Sequence, residues 1–266
     1  MAIYLLSHLI TRSLSHFFRM SNLYVVATPL GNLEDISKRA LRILSEVDLI
    51  LAEDTRNTKN LLNHFQISAP VISYHQHSKL NRVRDILAHL KKGHNIALVS
   101  DAGTPGISDQ GGKLVETVIK ELGKDIRIQP IPGPSAITTI ASVCGFPMDR
   151  FVFLGFPPIK NKRQKYFTEL LSYPYPVIFY ESPYRILKTL NELLAISKSR
   201  NLEISSQPLV ISKSRNLEIS VVVGRELTKK FETIYRGAID EVIEQIKKDA
   251  SGEKPRGEFV IAIHQQ

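Results

Sequence analysis

Cysteine is nearly missing from this chain. Cys144 is the single one in 266 residues, which excludes an internal disulfide and any cysteine-rich zinc site. A chain without disulfides suits a reducing, cytoplasmic setting. Long apolar runs are missing as well: Ile3–Leu6 is too short for a signal-peptide core or a membrane span. Acids are outnumbered, 26 against 35 bases, which leaves a formal charge of +9 and suits a polyanionic partner. Two phosphate-binding signatures are also missing. Gly103-Thr104-Pro105-Gly106 lacks the G-x-G-x-x-G spacing, and Gly112-Lys113 is followed by Leu114, where a P-loop needs a hydroxyl for magnesium. The His75-x-His77 pair brings too few donors to hold an ion, so no metal is expected.

What remains is ordinary globular material, 43% hydrophobic and 23% charged, long enough for one large or two modest domains. Apolar runs and amphipathic runs alternate through the first half. Leu23–Ala27, Leu49–Ala52, Val71–Tyr74, Ile96–Val99 and Ile126–Ile131 read as strands, separated by segments with helical spacing. Asn32 is expected to cap the first helix, and further helices are expected over Thr58–Phe65 and around Leu80–Leu90. That alternation predicts a mostly parallel, doubly wound sheet over residues 21–134. Residues 135–266 mix helices with strands joined by short turns and predict a second α/β domain on a mixed sheet. A basic helix over Asn161–Leu171 and another over Pro183–Leu194 belong to it. Residues 1–20, with Arg12 and Arg19 and no acid, read as a peripheral extension before the first strand.

The chain centres on Ser100-Asp101-Ala102-Gly103-Thr104-Pro105-Gly106, a glycine-rich turn between the strand Ile96–Val99 and an amphipathic run, Leu114–Leu122. Loops at the carboxyl ends of strands are where open α/β sheets bind ligands. Gly103 and Gly106 admit close backbone approach, and Asp101 supplies a carboxylate. Two further turns stand at strand ends, Thr28-Pro29-Leu30-Gly31 and Pro132-Gly133-Pro134-Ser135-Ala136. One stretch stands apart: Ile196–Ser205 recurs letter for letter as Ile211–Ser220. A single ten-residue repeat is too short for a solenoid, and it reads as a duplication that lengthens a surface connection.

Taken in order, Leu23–Leu33, Ala52-Glu53-Asp54-Thr55-Arg56, Ser73-Tyr74-His75, Ser100–Gly106, Pro132–Ala136, Phe179–Pro183, Gly224–Lys230 and Gly257–Val260 resemble the ribosomal RNA small subunit methyltransferase I branch of the tetrapyrrole methylase-like superfamily. Gln110 stands where the pattern has proline, and the duplicated stretch is an addition. The resemblance implies two α/β domains, S-adenosylmethionine bound between them, a homodimer, and 2′-O-methylation of a cytidine in small-subunit ribosomal RNA. It implies that Pro29, Gly31, Ser100, Asp101, Ala102, Gly103, Pro105, Ser135 and Ala136 contact the cofactor, joined by Phe156, Glu181 and Arg225 of the second domain.

Methyl transfer needs aligned reactants and a base for the ribose hydroxyl. Glu53, Asp54 and His75 are the candidates, although Glu53-Asp54-Thr55-Arg56 also fits a helix cap with a local ion pair. Arg56, Lys160, Lys162, Arg163 and Lys165 are candidate RNA-phosphate contacts; the last four fall in a stretch, Phe151–Thr168, without an acid. Two other functions fit parts of the pattern: carbon methylation of a porphyrin-like macrocycle, whose carboxylates also suit a basic surface, and non-catalytic RNA binding.

Overall fold

The computed structural model describes residues 20–75, 80–205 and 219–265. His77, the extension up to residue 19 and most of the second repeat copy lie outside them. The chain forms two compact units. The first takes the chain up to Pro29 and Leu33–Pro134; the second takes Leu30–Asn32 and Ser135–Gln266.

The first unit is built on five parallel strands: β1 (Ser21–Val26), β2 (Leu49–Ala52), β3 (Val71–Ser73), β4 (Ile96–Val99) and β5 (Ile126–Ile131). They lie in the order β3-β2-β4-β1-β5. Every residue of β2 and β4 is buried, as expected where helices cover both faces of a parallel sheet. Helices α1 (Lys38–Glu46) and α2 (Thr55–His64) cover one face, where Ile43, Leu44 and Leu62 meet Ile50, Ala97 and Val99. Helices α3 (Leu80–Lys91) and α4 (Gly111–Leu122) cover the other, where Ile86, Leu90, Leu114 and Val118 meet Leu23, Leu51 and Leu98. Alternate strand residues thus feed two separate cores, and the sheet is doubly wound.

Two local starts differ from the sequence reading. Leu33–Asp35 is only a 3-10 turn. Ser37, not Asn32, caps α1, its hydroxyl accepting the Ala40 N–H at 3.0 Å. Asn32 stands before the 3-10 turn rather than at the start of α1, and its own N–H donates to the Thr228 hydroxyl at 3.2 Å. Helix α2 begins three residues earlier than expected, because Asp54 accepts the Arg56 N–H at 2.8 Å and caps it.

The second unit holds β6 (Val152–Phe153), β7 (Val177–Glu181), β8 (Ile219–Arg225), β9 (Thr233–Ala238) and β10 (Phe259–Gln265). The order is β6-β7-β10-β8-β9, with β6 and β7 parallel and the other pairs antiparallel. Helix α5 (Ala136–Val143) packs Ile137 and Ile140 on one face against Ile178, Val222 and Val260. Helices α6 (Arg163–Leu170), α7 (Ile186–Ser205) and α8 (Ile239–Asp249) pack Phe167, Leu190 and Val242 on the other against Phe179, Val223 and Ile261.

Helix α7 overruns its expected end at Leu194 and takes in the whole first repeat copy. Ile196 packs against the core and Ser197 is buried, so this copy is not the surface loop the repeat suggested. The same Ile-Ser pair that closes the helix at Ile204-Ser205 opens β8 at Ile219-Ser220. Identical letters take two conformations because β10 pairs with the second pair, Ile219 opposite Gln265.

Candidate active site

The chemistry-bearing residues of the first unit gather where β1, β2, β3 and β4 end. β1 and β4 are neighbours whose connections leave toward opposite edges, β1 toward β2 and β4 toward β5. This is the switch point at which doubly wound sheets form their ligand crevice. Backbone bonds tie the loops there together. Thr28 N–H donates to the Gly103 carbonyl and Gly103 N–H to the Thr28 carbonyl, both at 3.0 Å. The Thr28 hydroxyl donates to the Ser100 carbonyl at 3.2 Å, and the Thr104 hydroxyl to the Pro134 carbonyl at 3.2 Å. Ser100, Gly103 and Pro105 are buried within this frame, as is Pro29, whereas Asp101 and Ala102 are exposed. Gly103 and Gly106 take φ values of 76° and 89°, a left-handed backbone that side-chain-bearing residues rarely adopt.

Asp109 holds the far side of that loop, and the sequence reading overlooked it. One carboxylate oxygen accepts the Gly106 N–H at 2.8 Å and the Gly111 N–H at 2.6 Å. Its signal was present, since an aspartate two residues before the acceptor's partner is the usual Asx turn. Gly111 is required there: a Cβ would come within 2.8 Å of the Gly106 nitrogen.

The three candidate bases stand in different conditions. Asp54 is committed. It caps α2 and receives Arg56 Nη2 at 2.6 Å, and these bonds pull its pKa down to about 2. Arg56, although mostly exposed, is committed to the same pair. Asp101 accepts the Asp54 N–H at 3.0 Å and so links the tips of β2 and β4. Glu53 borders a cavity of about 10 Å³, room for one water, with Tyr74, Ser100, Pro105 and Asp109. Partial burial, then the negative charges of Asp101 and Asp109, raise its pKa above the usual glutamate value; an Asp101 backbone hydrogen bond and His75 oppose the rise. His75 stands exposed just beyond β3.

In the second unit, Gly31 lies against Lys229, where a Cβ would overlap the Lys229 stem. Lys229 Nζ bridges Glu226 and Glu258 at 3.0 Å each. Glu226 and Thr228 both take positive φ, 51° and 67°, so this loop carries strain that its ion pairs and the Glu232 carboxylate on Thr228 N–H hold in place. Ser135 flanks α5 without a side-chain capping bond; its carbonyl instead accepts the Thr139 hydroxyl at 2.8 Å. Ala136 opens that helix, and Phe156 is 52% exposed with its ring 5.3 Å from that of Tyr180. Arg225 is bound to Asp249 and to the Arg256 carbonyl.

Two expectations need correction. Glu181 does not offer its carboxylate to a ligand: its side chain is fully buried, accepting Ser182 N–H and the Thr189 hydroxyl, each at 2.6 Å, and pairing with Arg185 at 2.8 Å. Arg163 is not part of an exposed basic face. It is 6% exposed, paired with Glu192 at 2.7 Å, and donates to Thr189 at 2.8 Å and to the Pro158 carbonyl at 2.7 Å. Its guanidinium lies 5.1 Å from the Phe167 ring centre. Lys160, Lys162 and Lys165 are exposed, as expected. Among the described residues no group of three or more metal-ligating side chains occurs, and no helix is long and apolar enough to cross a membrane.

Comparison with known proteins gives a consistent set of relatives. Residues 22–243 match the family of tetrapyrrole (corrin/porphyrin) methylases. The ribosomal RNA small subunit methyltransferase I of Thermotoga maritima is 40% identical over 92% of this chain and 98% of its own. That of Escherichia coli O157:H7 is 43% identical over 91% of this chain and 77% of its own. Among solved structures, a cobalt precorrin-4 methyltransferase superposes with a TM-score of 0.60 at 16% identity, over 92% of this chain and 95% of that one. The uroporphyrin-III C-methyltransferase of Thermus thermophilus gives 0.53 at 16%, over 91% and 94%. At such identity these two structures speak for the fold alone.

Proposed function

The chain belongs to the tetrapyrrole (corrin/porphyrin) methylase family, in its ribosomal RNA small subunit methyltransferase I branch, and from that premise we propose that it methylates a cytidine 2′-hydroxyl of small-subunit ribosomal RNA. The observation that carries this reading is the identity of about 40% over nearly the full length of the Thermotoga relative, with the strand-end motifs set at the switch point of the first sheet. The tetrapyrrole reading rests on the broader family match and on a fold shared at 16% identity. We place the reaction in the cytoplasm and assign a homodimer as the working form.

The methyl donor is S-adenosylmethionine, which supplies an electrophilic methyl group on a sulfonium when bound. The first unit fits such a molecule. Gly106 leaves the turn uncovered by a side chain, and Asp101 offers an exposed carboxylate to a cationic ligand. Pro29, Ser100, Ala102, Gly103 and Pro105 would shape that cradle. On the second unit, Gly31, Ser135, Ala136, Phe156 and Arg225 are the residues we assign to the cofactor.

Of the candidate bases, Glu53 suits the task. Asp54 holds its proton too weakly and is occupied by Arg56, whereas Glu53 is raised toward the working range and has space for a water-sized group beside it. Glu53 takes the ribose hydroxyl proton as the oxygen attacks; partial burial, then the charges of Asp101 and Asp109, raise its pKa and strengthen it as a base. The test offers labelled methyl donor to intact small subunits, naked ribosomal RNA and a tetrapyrrole precursor in parallel. Label in ribosomal RNA supports the reading, and label in the macrocycle alone overturns it.

A further inference from the structure

We propose that the second unit carries a rigid platform, built from the Gly155–Lys160 loop and the Ser182–Arg185 turn, that grips an unpaired stretch of RNA by stacking a base on Tyr184. This rests on the ribosomal RNA reading above and names how that substrate is held.

The platform begins with a buried ionic network that the reaction does not use. Glu181 on β7 binds the Thr189 hydroxyl at 2.6 Å and Arg185 at 2.8 Å; Thr189 accepts from Arg163, which pairs with Glu192. Sequestering charges in this way is costly and seldom serves stability alone. Here the two arginines turn outward to one object. Arg163 Nη1 donates to the Pro158 carbonyl at 2.7 Å and Arg185 Nη1 to the Pro157 carbonyl at 3.2 Å. Two consecutive proline carbonyls are thereby fastened to the start of α7, and Tyr180 N–H holds the Gly155 carbonyl at 2.9 Å. Past the prolines, Lys162 sits at φ 67°, a left-handed conformation that persists only where surrounding bonds impose it.

A loop fixed so firmly would be expected to bury its apolar side chains, and this one does the reverse. On the loop Ile159 is 72% and Phe156 52% exposed, and Tyr184 on the turn fastened to it is 83% exposed. Lys160, Lys162 and Lys165 stand exposed next to these groups, and no acid lies between Phe151 and Thr168. A protein partner or a second copy would meet exposed apolar side chains flanked by three exposed lysines. An unpaired nucleic acid meets each part with its match, flat bases for the aromatic ring and phosphates for the ammonium groups. Duplex RNA does not fit, because its bases are stacked inside and offer the ring no face. Arg163 and Arg185 are positioning residues, acting on RNA only through the loop they fasten.

The test measures methyl transfer to intact small subunits by the full-length protein and three variants, with thermal denaturation and S-adenosylmethionine calorimetry on each. Tyr184→Ala should raise KM for the subunit roughly tenfold, the scale of one lost base stack, with kcat, melting and cofactor affinity unchanged. Tyr184→Phe keeps the ring and should keep the wild-type KM. Replacing Lys160, Lys162 and Lys165 together by serine should flatten the slope of log affinity against log salt by about 2, or roughly 0.7 per single-strand phosphate. If wild type methylates the subunit while Tyr184→Ala retains its KM, the platform is overturned and the methyltransferase reading stands. If Tyr184→Ala changes the oligomeric state instead of KM, the patch belongs to a second copy and the platform is again overturned. If wild type transfers no methyl group to ribosomal RNA, both fall.

Discussion

Replacing Arg163 by methionine separates a buried ionic anchor from a surface charge. Methionine keeps much of the stem and removes the guanidinium, so Glu192 loses its partner at 2.7 Å, Thr189 and the Pro158 carbonyl lose donors, and the stacking on Phe167 goes. Breaking one side of a buried pair costs about 3–5 kcal/mol. Glu192 is one-third exposed and keeps Lys188 at 3.8 Å, which places the loss near the lower figure, about 3 kcal/mol. For a protein of this size that corresponds to a fall in Tm of roughly 6–12 °C. The triple Lys160, Lys162 and Lys165 to serine variant removes three exposed charges and should stay within about 0.5 kcal/mol per site. Urea and thermal unfolding of the two variants, monitored on the transition of the second unit, give the comparison. An Arg163→Met protein as stable as the triple variant would refute the burial argument, and Arg163 would return to the RNA-facing set.

Asp101→Ala should weaken S-adenosylmethionine binding, since it removes the exposed carboxylate of the cradle and frees the Asp54 N–H; unchanged affinity by calorimetry removes Asp101 from the site. Glu53→Gln should lower kcat and abolish the acid limb of the pH–rate profile. In wild type that limb should lie above the ordinary glutamate range, because burial and two nearby carboxylates raise the group's pKa. Asp54 runs the other way. Its pKa is depressed to about 2, so its stabilising bonds are intact above the unfolded value and fade only as pH falls toward 2, with Asp54→Asn flattening that acid loss in denaturation curves. Deleting residues 196–210 leaves Ile211-Ser212 following Ala195, the place Ile196-Ser197 held, and keeps Ile219-Ser220 at the start of β8. The shortened protein should melt within about 4 °C of wild type, and a much larger drop would show that both copies are packed.

The legible parts of this chain are those whose signal is local. β2 and β4 read correctly because strands buried on both faces are unbroken apolar runs. The central turn between β4 and α4 read correctly because its glycines favour the left-handed backbone, with φ values of 76° and 89°. Most misread features depend on distant partners. Arg163 looked like one more exposed base, and its burial is decided by Glu192, 29 residues on, and Thr189, 26 on. Glu181 could have been read in part, because Arg185 and Thr189 follow at helical spacings, but its full burial depends on the sheet around it. Asn32 lost its capping role to Ser37, because the α-helix opens only after the 3-10 turn Leu33–Asp35. The repeat shows the limit directly: Ile-Ser ends a helix at one copy and begins a strand at the other, and only the β10 partner distinguishes them.

The most direct measurement of the central claim is the chemical position of the transferred methyl group. Small subunits lacking the modification are incubated with the protein and labelled S-adenosylmethionine, and their RNA is digested in alkali, which cleaves at every nucleotide with a free 2′-hydroxyl. Methyl transfer to a ribose blocks cleavage at that site, so the label should appear in a single alkali-resistant dinucleotide beginning with cytidine. Label recovered in alkali-sensitive mononucleotides, and hence on a base, would contradict the account.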